Sequence, residues 1–539
     1  MSGSAAGERR AATGVVAAGS PGAADAAAEL LRSGGNAFDA AIGAGFAASV
    51  AEPGLCSLAG GGFLLARVSD TDGGSARATL FDFFVDTPGR GRPPSPEAAR
   101  FDEVVVRFDA AEQRFHCGLG SVAVPGCLTG FLHVHERLGR LPLAAVVAPA
   151  VRLAHHGAVM APKQADILAL LEPILMRTAP GRALFAPTGR LVGAGERFTN
   201  PELGDFLTLL GSAEAPSFAK GWLAQAVVAA MGTGPGVVSA DGMVTAQDLA
   251  AYRVIERAPL AVSFGDRTLL TNPPPSFGGS LLGAAIGALV GREAPDGHDP
   301  ATRHDPASAT GLDPVAVAAR VVETMIRVDQ RRAAIVTAAS GTAPNVSRGT
   351  THISVADADG NVASMTTSNG EGSGDLIAGT GIMFNNMLGE DDLHPQGFHV
   401  AEPGQRVSSM MAPSVLVDSR GRAELALGSG GSKRIRSALL QVLVNVAVRG
   451  LSAGEAVAAP RLHWDVDHLE VEPGFHADVL AELGRFGPVH VWPQTSMYFG
   501  GVHAVAPGDD GAAASGGGDP RRDGAVRVVE VSGIRPGGG

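Results

Sequence analysis

The sequence predicts an α+β fold, and three observations carry that expectation. Alanine-rich stretches with helix start and stop signals recur in the first part of the chain. Two β-rich segments close on a tight turn within 349–368, and a second hairpin over 414–427 leads through a glycine run into a helix. No internal repeat is visible, so the fold is assembled from distinct elements.

Taken in order, residues 1–13 read as a flexible tail. Ser20-Pro21 supplies an N-cap and a first-turn proline for a helix that Gly34-Gly35 stops, and a second helix runs from about 38 to 51, ending at Pro53. Their small side chains let helices lie close to a sheet. Gly60-Gly61-Gly62 precedes the apolar Phe63-Leu64-Leu65-Ala66. With no Gly-Lys-Ser/Thr after it, the triple glycine reads as close backbone packing rather than a phosphate cradle. Residues 79–85 form the next strand. Helices are expected from 130 to about 161, with Val146, Val147, Val151, Leu153 and Ala154 on one apolar face. The His155-His156 pair at a helix end reads as solvated or capping. Residues 163–252 are mostly helical, with Glu202, Asp205 and Phe206 inside one helix.

Three prolines at 273–275, followed by Ser276-Phe277-Gly278-Gly279, make a rigid turn into a helix over 280–290. A polar loop spans 292–314, a helix 315–334, and an exposed linker rich in Gly, Ser, Thr and Pro 337–348. Beyond the central hairpin, 379–386 reads as turn and strand, and a polar loop reaches Ser408-Ser409. A helix over 432–448 is expected to open straight out of the Gly428-Ser429-Gly430-Gly431 loop. Residues 463–505 read as strand, helix, strand, and the Gly-rich tail beyond Pro507 holds one strand at 525–531.

The chain has 539 residues, enough for several average domains. Its formal charge of −12 argues against nucleic acid or an anionic membrane as partner. Lysine occurs only at 163, 220 and 433 while arginine is abundant, which reads as codon bias. Cys56, Cys117 and Cys127 are odd in number and lack metal-ligand spacing, as fits buried thiols in a reducing compartment. The first residues carry no continuous apolar core, and no uninterrupted apolar span reaches membrane-crossing length. The expectation is a cytoplasmic protein with no metal or cofactor.

The chemistry is placed in the run 349–368. Asp357-Ala358-Asp359-Gly360-Asn361 carries the hairpin signal. If Ala356 pairs with Val362, Thr350 falls opposite Ser368, with Cβ atoms roughly 4.5–5.5 Å apart. A cut between Gly349 and Thr350 gives one residue both a hydroxyl and a free α-amine. Such an amine titrates near about 7.7–8.0, which suits a general base at neutral pH. Threonine with its own N-terminal amine is an established nucleophile–base pair. Glycine ahead of the cut leaves the carbonyl open.

The run Thr350-Thr351-His352-Ile353-Ser354-Val355-Ala356-Asp357 resembles the small-subunit start of the γ-glutamyltranspeptidases, self-cleaving N-terminal-nucleophile hydrolases. Ser33-Gly34-Gly35-Asn36-Ala37-Phe38-Asp39-Ala40-Ala41, Val124-Pro125-Gly126, Ser408-Ser409-Met410 and Gly428-Ser429-Gly430-Gly431 agree in order and spacing, over nearly the whole chain. The resemblance implies a four-layer αββα sandwich. It implies one precursor cut into a large part (1–349) and a small part (350–539) that stay interleaved as a heterodimer, with further dimerisation open.

By the same resemblance Thr350 is the nucleophile and Ser368 stands where the family has a threonine that hydrogen-bonds it. The glycine run supplies oxyanion donors, Gly431 and Ser432 in an ungapped match or Gly430 and Gly431 with a slip. Ser408 and Ser409 match the serine pair that holds a substrate α-carboxylate. Glu390, with Asp391 and Asp392 beside it, falls near the residue that holds the α-amine, and Asn369 lies one position before the family's asparagine. The turn at 273–279 has a family counterpart close to the active site. Two departures matter. Phe84, in Asp82-Phe83-Phe84-Val85, stands where the family strand has an arginine for the α-carboxylate, a contact a ring cannot replace; Arg90 or Arg92 is the nearest downstream substitute. The loop between Asn386 and Ser408 is also short for a full lid, which favours hydrolysis over transfer.

The expected reaction is therefore attack by Thr350 on a small-molecule amide, an acyl-Thr350 ester, and release to water or an amine. γ-Glutamyl compounds such as glutathione are the default substrate class. The alternatives are an amidase of the cephalosporin-acylase type acting on a non-glutamyl acyl group, and a non-catalytic relative that keeps the fold for binding.

Overall fold

Alternate residues of the same strands face two different cores, and that alternation builds the layers. The structure is a computed structural model and describes residues 12–69, 76–91, 101–108, 111–212, 215–233, 241–291, 313–340, 349–389, 398, 400–508 and 513–531. Two antiparallel sheets dominate, and their strands are numbered here in chain order. They are β1 Ala12–Ala18, β2 Gly61–Val68, β3 Arg77–Phe83, β4 Ile255–Arg257, β5 Leu260–Phe264, β6 Arg267–Thr271, β7 Thr350–Ala356, β8 Val362–Ser368, β9 Ser414–Val417, β10 Ala423–Gly430, β11 Gly501–Ala506, β12 Ser515–Gly517 and β13 Ala525–Val531. One sheet has the order β13-β1-β7-β8-β2-β3-β4, the other β12-β11-β10-β9-β6-β5.

In β2, Leu64 and Ala66 face a core shared with helices α1 (Pro21–Arg32) and α2 (Ala37–Ala51), while Phe63 and Leu65 face a core between the sheets. The second sheet turns Leu269, Leu416, Leu425 and Leu427 outward to α3 (Gly278–Leu289), α4 (Pro314–Ser340) and α5 (Arg434–Ala447). Helix, sheet, sheet, helix: this is the αββα sandwich.

Local chemistry fixes the parts as expected. Ser20 caps α1 by accepting from the Ala23 N–H, and Asn36 with Asp39 forms a capping box on α2. All fifteen residues of α2 are buried. Gly43 is needed there because a Cβ would sit 2.1 Å from Leu30 Cδ1. The hairpin turn is tied to this helix, since Asp357 Oδ2 accepts from the Ala37 N–H at 2.9 Å. The pairings Ala356 with Val362 and Thr350 with Ser368 stand as the sequence implied.

Several expectations change. Ala12 and Thr13 belong to β1, paired with β13, rather than to a tail. Strands β4, β5 and β6 fill a stretch, 255–271, that periodicity left unassigned. Helix α4 runs on to Ser340, into the expected linker, with Ile335 still packed against the outer core of the second sheet. Residues 341–348 and most of the 292–314 loop lie outside the described residues. Gly428 and Gly430 lie in β10, not in a loop, and α5 begins only at Arg434. Strand pairing with β11 holds the glycines extended; Gly431, at φ 117°, then makes the turn. The described helices include none long and apolar enough to cross a membrane.

Candidate active site

The period of two along β7 sends Thr350, His352 and Ser354 toward the sheet–sheet interface and Thr351 toward the helices. Thr350 therefore opens into a cavity of about 250 Å³ at the ends of both sheets. Phe84, Thr350, Ser368, Ser409, Met410, Met411 and Ile435 line it. A cavity of about 310 Å³, lined by Cys56, Asn200 and Met383 among others, lies elsewhere and holds none of the expected site residues.

Around Thr350 the backbone is packed too closely for side chains. A Cβ on Gly349 would lie 1.7 Å from the Gly370 carbonyl oxygen, and one on Gly430 would lie 2.1 Å from the Thr350 carbonyl oxygen. Gly428 makes room for the His352 ring, 2.2 Å from the same kind of added atom. Gly60 likewise abuts the Ser368 carbonyl, which is the close packing read from the triple glycine. In the uncut chain the Ser368 hydroxyl donates to the Gly349 carbonyl oxygen and accepts from the Gly370 N–H at 3.1 Å. The Thr350 carbonyl oxygen accepts from Arg522 Nη1 at 2.9 Å.

Sequence reasoning named Thr350, Ser368, Ser409 and Phe84, and all four meet at this cavity. Gly430 packs against the Thr350 carbonyl, with Gly431 next in the turn, and neither is among the lining residues. Ser408 is half-buried beside Ser409 but is not among the lining residues. Asn369 is buried directly after Ser368, its Nδ2 donating to the Phe384 carbonyl at 3.2 Å. Glu390, with Asp391 and Asp392, lies outside the described residues, as does Arg92. Arg90 does not reach in: its guanidinium packs over Gly404.

The arginine beside Phe84 is instead Arg406. It donates to the Phe84 carbonyl oxygen and to Tyr252 Oη, and pairs with Asp86 at 3.0 Å and Asp82 at 3.5 Å. Burial lifts the Asp86 carboxyl to about 6 although Arg406 opposes the shift. Arg406 is thus engaged behind the backbone of Phe84. It is not offered to the cavity.

Sequence reasoning missed the polar layer on the other side of β7. Glu52, just past the end of α2, meets Thr351 Oγ1 at 2.5 Å, and Arg522 reaches Thr350 from the turn after Asp519. Arg522 is held in place by a buried ion cluster: Arg461 pairs with Asp519 at 2.6 Å, and Arg521 bridges Asp519 and Glu472. The one available signal was an acidic residue just past the end of a buried helix whose only other charge is the capping Asp39. No metal-binding group of three His, Cys, Asp or Glu occurs among the described residues.

The sequence matches the Gamma-glutamyltranspeptidase family over residues 23–529. It is 32% identical to the acylase ACY 1 proenzyme of Pseudomonas sp. (strain SE83), across 92% of this chain and 90% of that protein. It is 28% identical to the glutathione hydrolase proenzyme of Escherichia coli (strain K12), across 95% of this chain and 91% of the relative. Among solved structures, cephalosporin acylase from Bacillus halodurans superposes with a TM-score of 0.76 at 25% identity, covering 96% of both chains.

Proposed function

The chain belongs to the γ-glutamyltranspeptidase family, and we propose that it is a self-cleaving amidase that works through Thr350 on γ-glutamyl-type acyl groups of glutathione-like substrates. The observation that carries the reading is the meeting of Thr350 and Ser368 at one buried cavity, with the Ser368 hydroxyl on the Gly349 carbonyl oxygen. In the precursor the Ser368 hydroxyl polarises the Gly349 carbonyl. Thr350 Oγ1 attacks that carbon, the Gly349–Thr350 C–N bond breaks, and an ester with a free α-amine results. Water then releases the two parts, 1–349 and 350–539. They stay together because each sheet joins strands of both parts, interleaved in the first sheet and meeting at the β9–β6 pairing in the second.

In the mature protein the α-amine takes the proton of Thr350 Oγ1 as the oxygen attacks the substrate amide. The N–H groups of Gly430 and Gly431 face the developing oxyanion, and Ser368 holds the nucleophile. The ammonium returns its proton to the leaving amine. Water or a second amine then takes the acyl group from Thr350; Ser409 at the cavity and, by the family resemblance alone, Ser408, Asn369 and Glu390 would hold the substrate's polar groups. Three buried free thiols fit a cytoplasmic location.

A second reading, an acylase acting on a non-glutamyl acyl group, is favoured by one feature: Phe84, Met410, Met411 and Ile435 present an apolar wall where an α-carboxylate needs a cation. One experiment tests both. Purified protein gives a fragment whose N-terminal residue is Thr350, and Thr350→Ala stays a single chain without activity. An uncut, inactive wild type, matched by Thr350→Ala in every assay, sinks the enzymatic reading. Anilides of γ-glutamyl, glutaryl (carboxylate without amine) and butyryl (neither) then rank the acyl groups. A γ-glutamyl preference supports the first reading, a butyryl preference the second.

A further inference from the structure

Resting on the reading above, the next question is what holds the α-amine that cleavage creates. In an antiparallel sheet a residue's N–H and C=O point to the same neighbour. The Thr350 carbonyl points to the β1 side, where Arg522 takes it, so the Thr350 nitrogen points there as well. Strand β1 does not fill that space. Its last pairing is Ala18 with Ile353, after which the chain turns at Gly19 and Ser20 into α1.

Glu52 stands beside that gap, its carboxyl between Gly19 and Thr351. A Cβ on Gly19 would lie 2.4 Å from both Glu52 Oε2 and Thr351 Oγ1, so the glycine is what lets the carboxyl approach. Glu52 is fully buried. Its Oε2 is engaged by Thr351, while its Oε1 has no hydrogen-bond partner among the described residues. A buried acceptor left unmatched in the uncut chain is costly, and cleavage frees the nitrogen on the facing strand end from the peptide plane and adds donor hydrogens to it.

We propose that Glu52 is the positioning residue for the catalytic amine: after cleavage its free carboxylate oxygen accepts from the Thr350 α-amine and stabilises the ammonium formed when the amine takes the Thr350 Oγ1 proton. The carboxylate gains no proton itself. Its part parallels the buried carboxylate that orients a catalytic imidazole. The groups facing Glu52 are the Thr351 and Ser20 hydroxyls, the Cys56 thiol, which burial keeps protonated, and the Arg522 guanidinium. Behind Arg522 stand Asp519, Arg461 and the neutral His503 ring. In the uncut chain burial raises the Glu52 carboxyl, against Thr351, Ser20 and Arg522; an adjacent ammonium draws it back toward ionisation.

The test is Glu52→Gln, which keeps shape and removes charge. Cleavage precedes the amine, so the variant still yields Thr350 as an N-terminus. Its kcat on the best anilide falls about tenfold to a hundredfold with KM within twofold. Loss of the negative charge lowers the amine's pKa, so the acid limb of kcat/KM moves down by about one pH unit. Glu52→Asp restores part of both. A purely structural role lowers the yield of folded protein and leaves the limb where it was. If cut Glu52→Gln has wild-type kcat and an unmoved limb, the assignment is overturned while the amidase reading stands. If Glu52→Gln does not mature, Glu52→Asp is read on the same axes: a lower kcat with a shifted limb supports the role, and wild-type values overturn it. An uncut wild type removes the parent reading instead.

Discussion

Phe84 stacks on Phe63 with ring centroids 5.5 Å apart and planes 19° from parallel, and it is almost wholly withdrawn from solvent. Its carbonyl is fixed by Tyr252 Oη at 2.8 Å and by Arg406, so neither ring nor backbone is free to make way for a distant cation. Replacing the ring by a guanidinium places a bidentate donor at the cavity wall. Phe84→Arg is expected to raise kcat/KM on a γ-glutamyl anilide by about tenfold, the scale of a charge-assisted hydrogen bond of roughly 1.5–3 kcal/mol less the loss of the aromatic pair. Butyryl anilide should lose in the same variant. If γ-glutamyl turnover does not improve, the apolar wall is not what limits it. Gly349 shows the complementary constraint: only hydrogen fits 1.7 Å from the Gly370 carbonyl, so the residue before the cut is set by space as well as by reactivity.

Between β6 and α3, the turn at 273–279 acts as a clamp on the segment bearing Ser409, which leads into β9. Ser276 Oγ at 2.8 Å, the Phe277 N–H at 3.1 Å and the Gly278 N–H at 3.2 Å all donate to the Ser409 carbonyl oxygen, and Asn272 Nδ2 donates to that of Met411 at 2.9 Å. Ser276→Ala removes one of three donors. KM is expected to rise about two- to fivefold with kcat changed less, corresponding to roughly 0.5–1 kcal/mol of lost positioning. Equal changes in both constants would show that the turn supports the nucleophile rather than the substrate.

Elements with local signals were legible: the capped helices α1 and α2, the Asp-Gly hairpin with its register, and the proline turn. Strands β1 and β4 to β6 were not, because short strands buried or paired by distant partners carry little alternation of their own. For the site, residues with motif spacing were found, and Glu52 and Arg522 were not. Their meeting at Thr350 joins positions about as far apart as the chain allows, through a strand order that no local pattern encodes.

At the scale of the whole molecule, each sheet joins strands from both sides of the proposed cut, so stability belongs to the assembled sandwich rather than to either part. One pH-sensitive contribution comes from buried neutral histidines, among them His503 at the joint between the sheets and the C-terminal turn. His503 Nδ1 accepts from the Asp519 N–H at 3.3 Å, a contact that protonation destroys. Burial, with Arg522 and Arg461 added and Asp519 opposing, holds the ring to about 4. Asp519 titrates lower still, near about 2, since Arg461 and Arg521 outweigh its burial, and so it stays ionised throughout this window. Between the unfolded value of about 6.5 and the folded value, the unfolded chain binds a proton that the native chain refuses, so stability falls as pH falls. From pH 7 to pH 5 this one ring accounts for about 2 kcal/mol of lost stability. His352, ringed by Thr366 and Ser354 at 2.7 and 2.8 Å, shifts in the same direction. His503→Gln keeps an acceptor toward Asp519 but cannot titrate. Urea midpoints at pH 7 and pH 5 should therefore differ less in the variant than in the wild type, by about those 2 kcal/mol. Equal pH dependence in the two proteins would assign the acid sensitivity to other groups, with His352 and His463, whose rings burial also holds neutral, as the first to test.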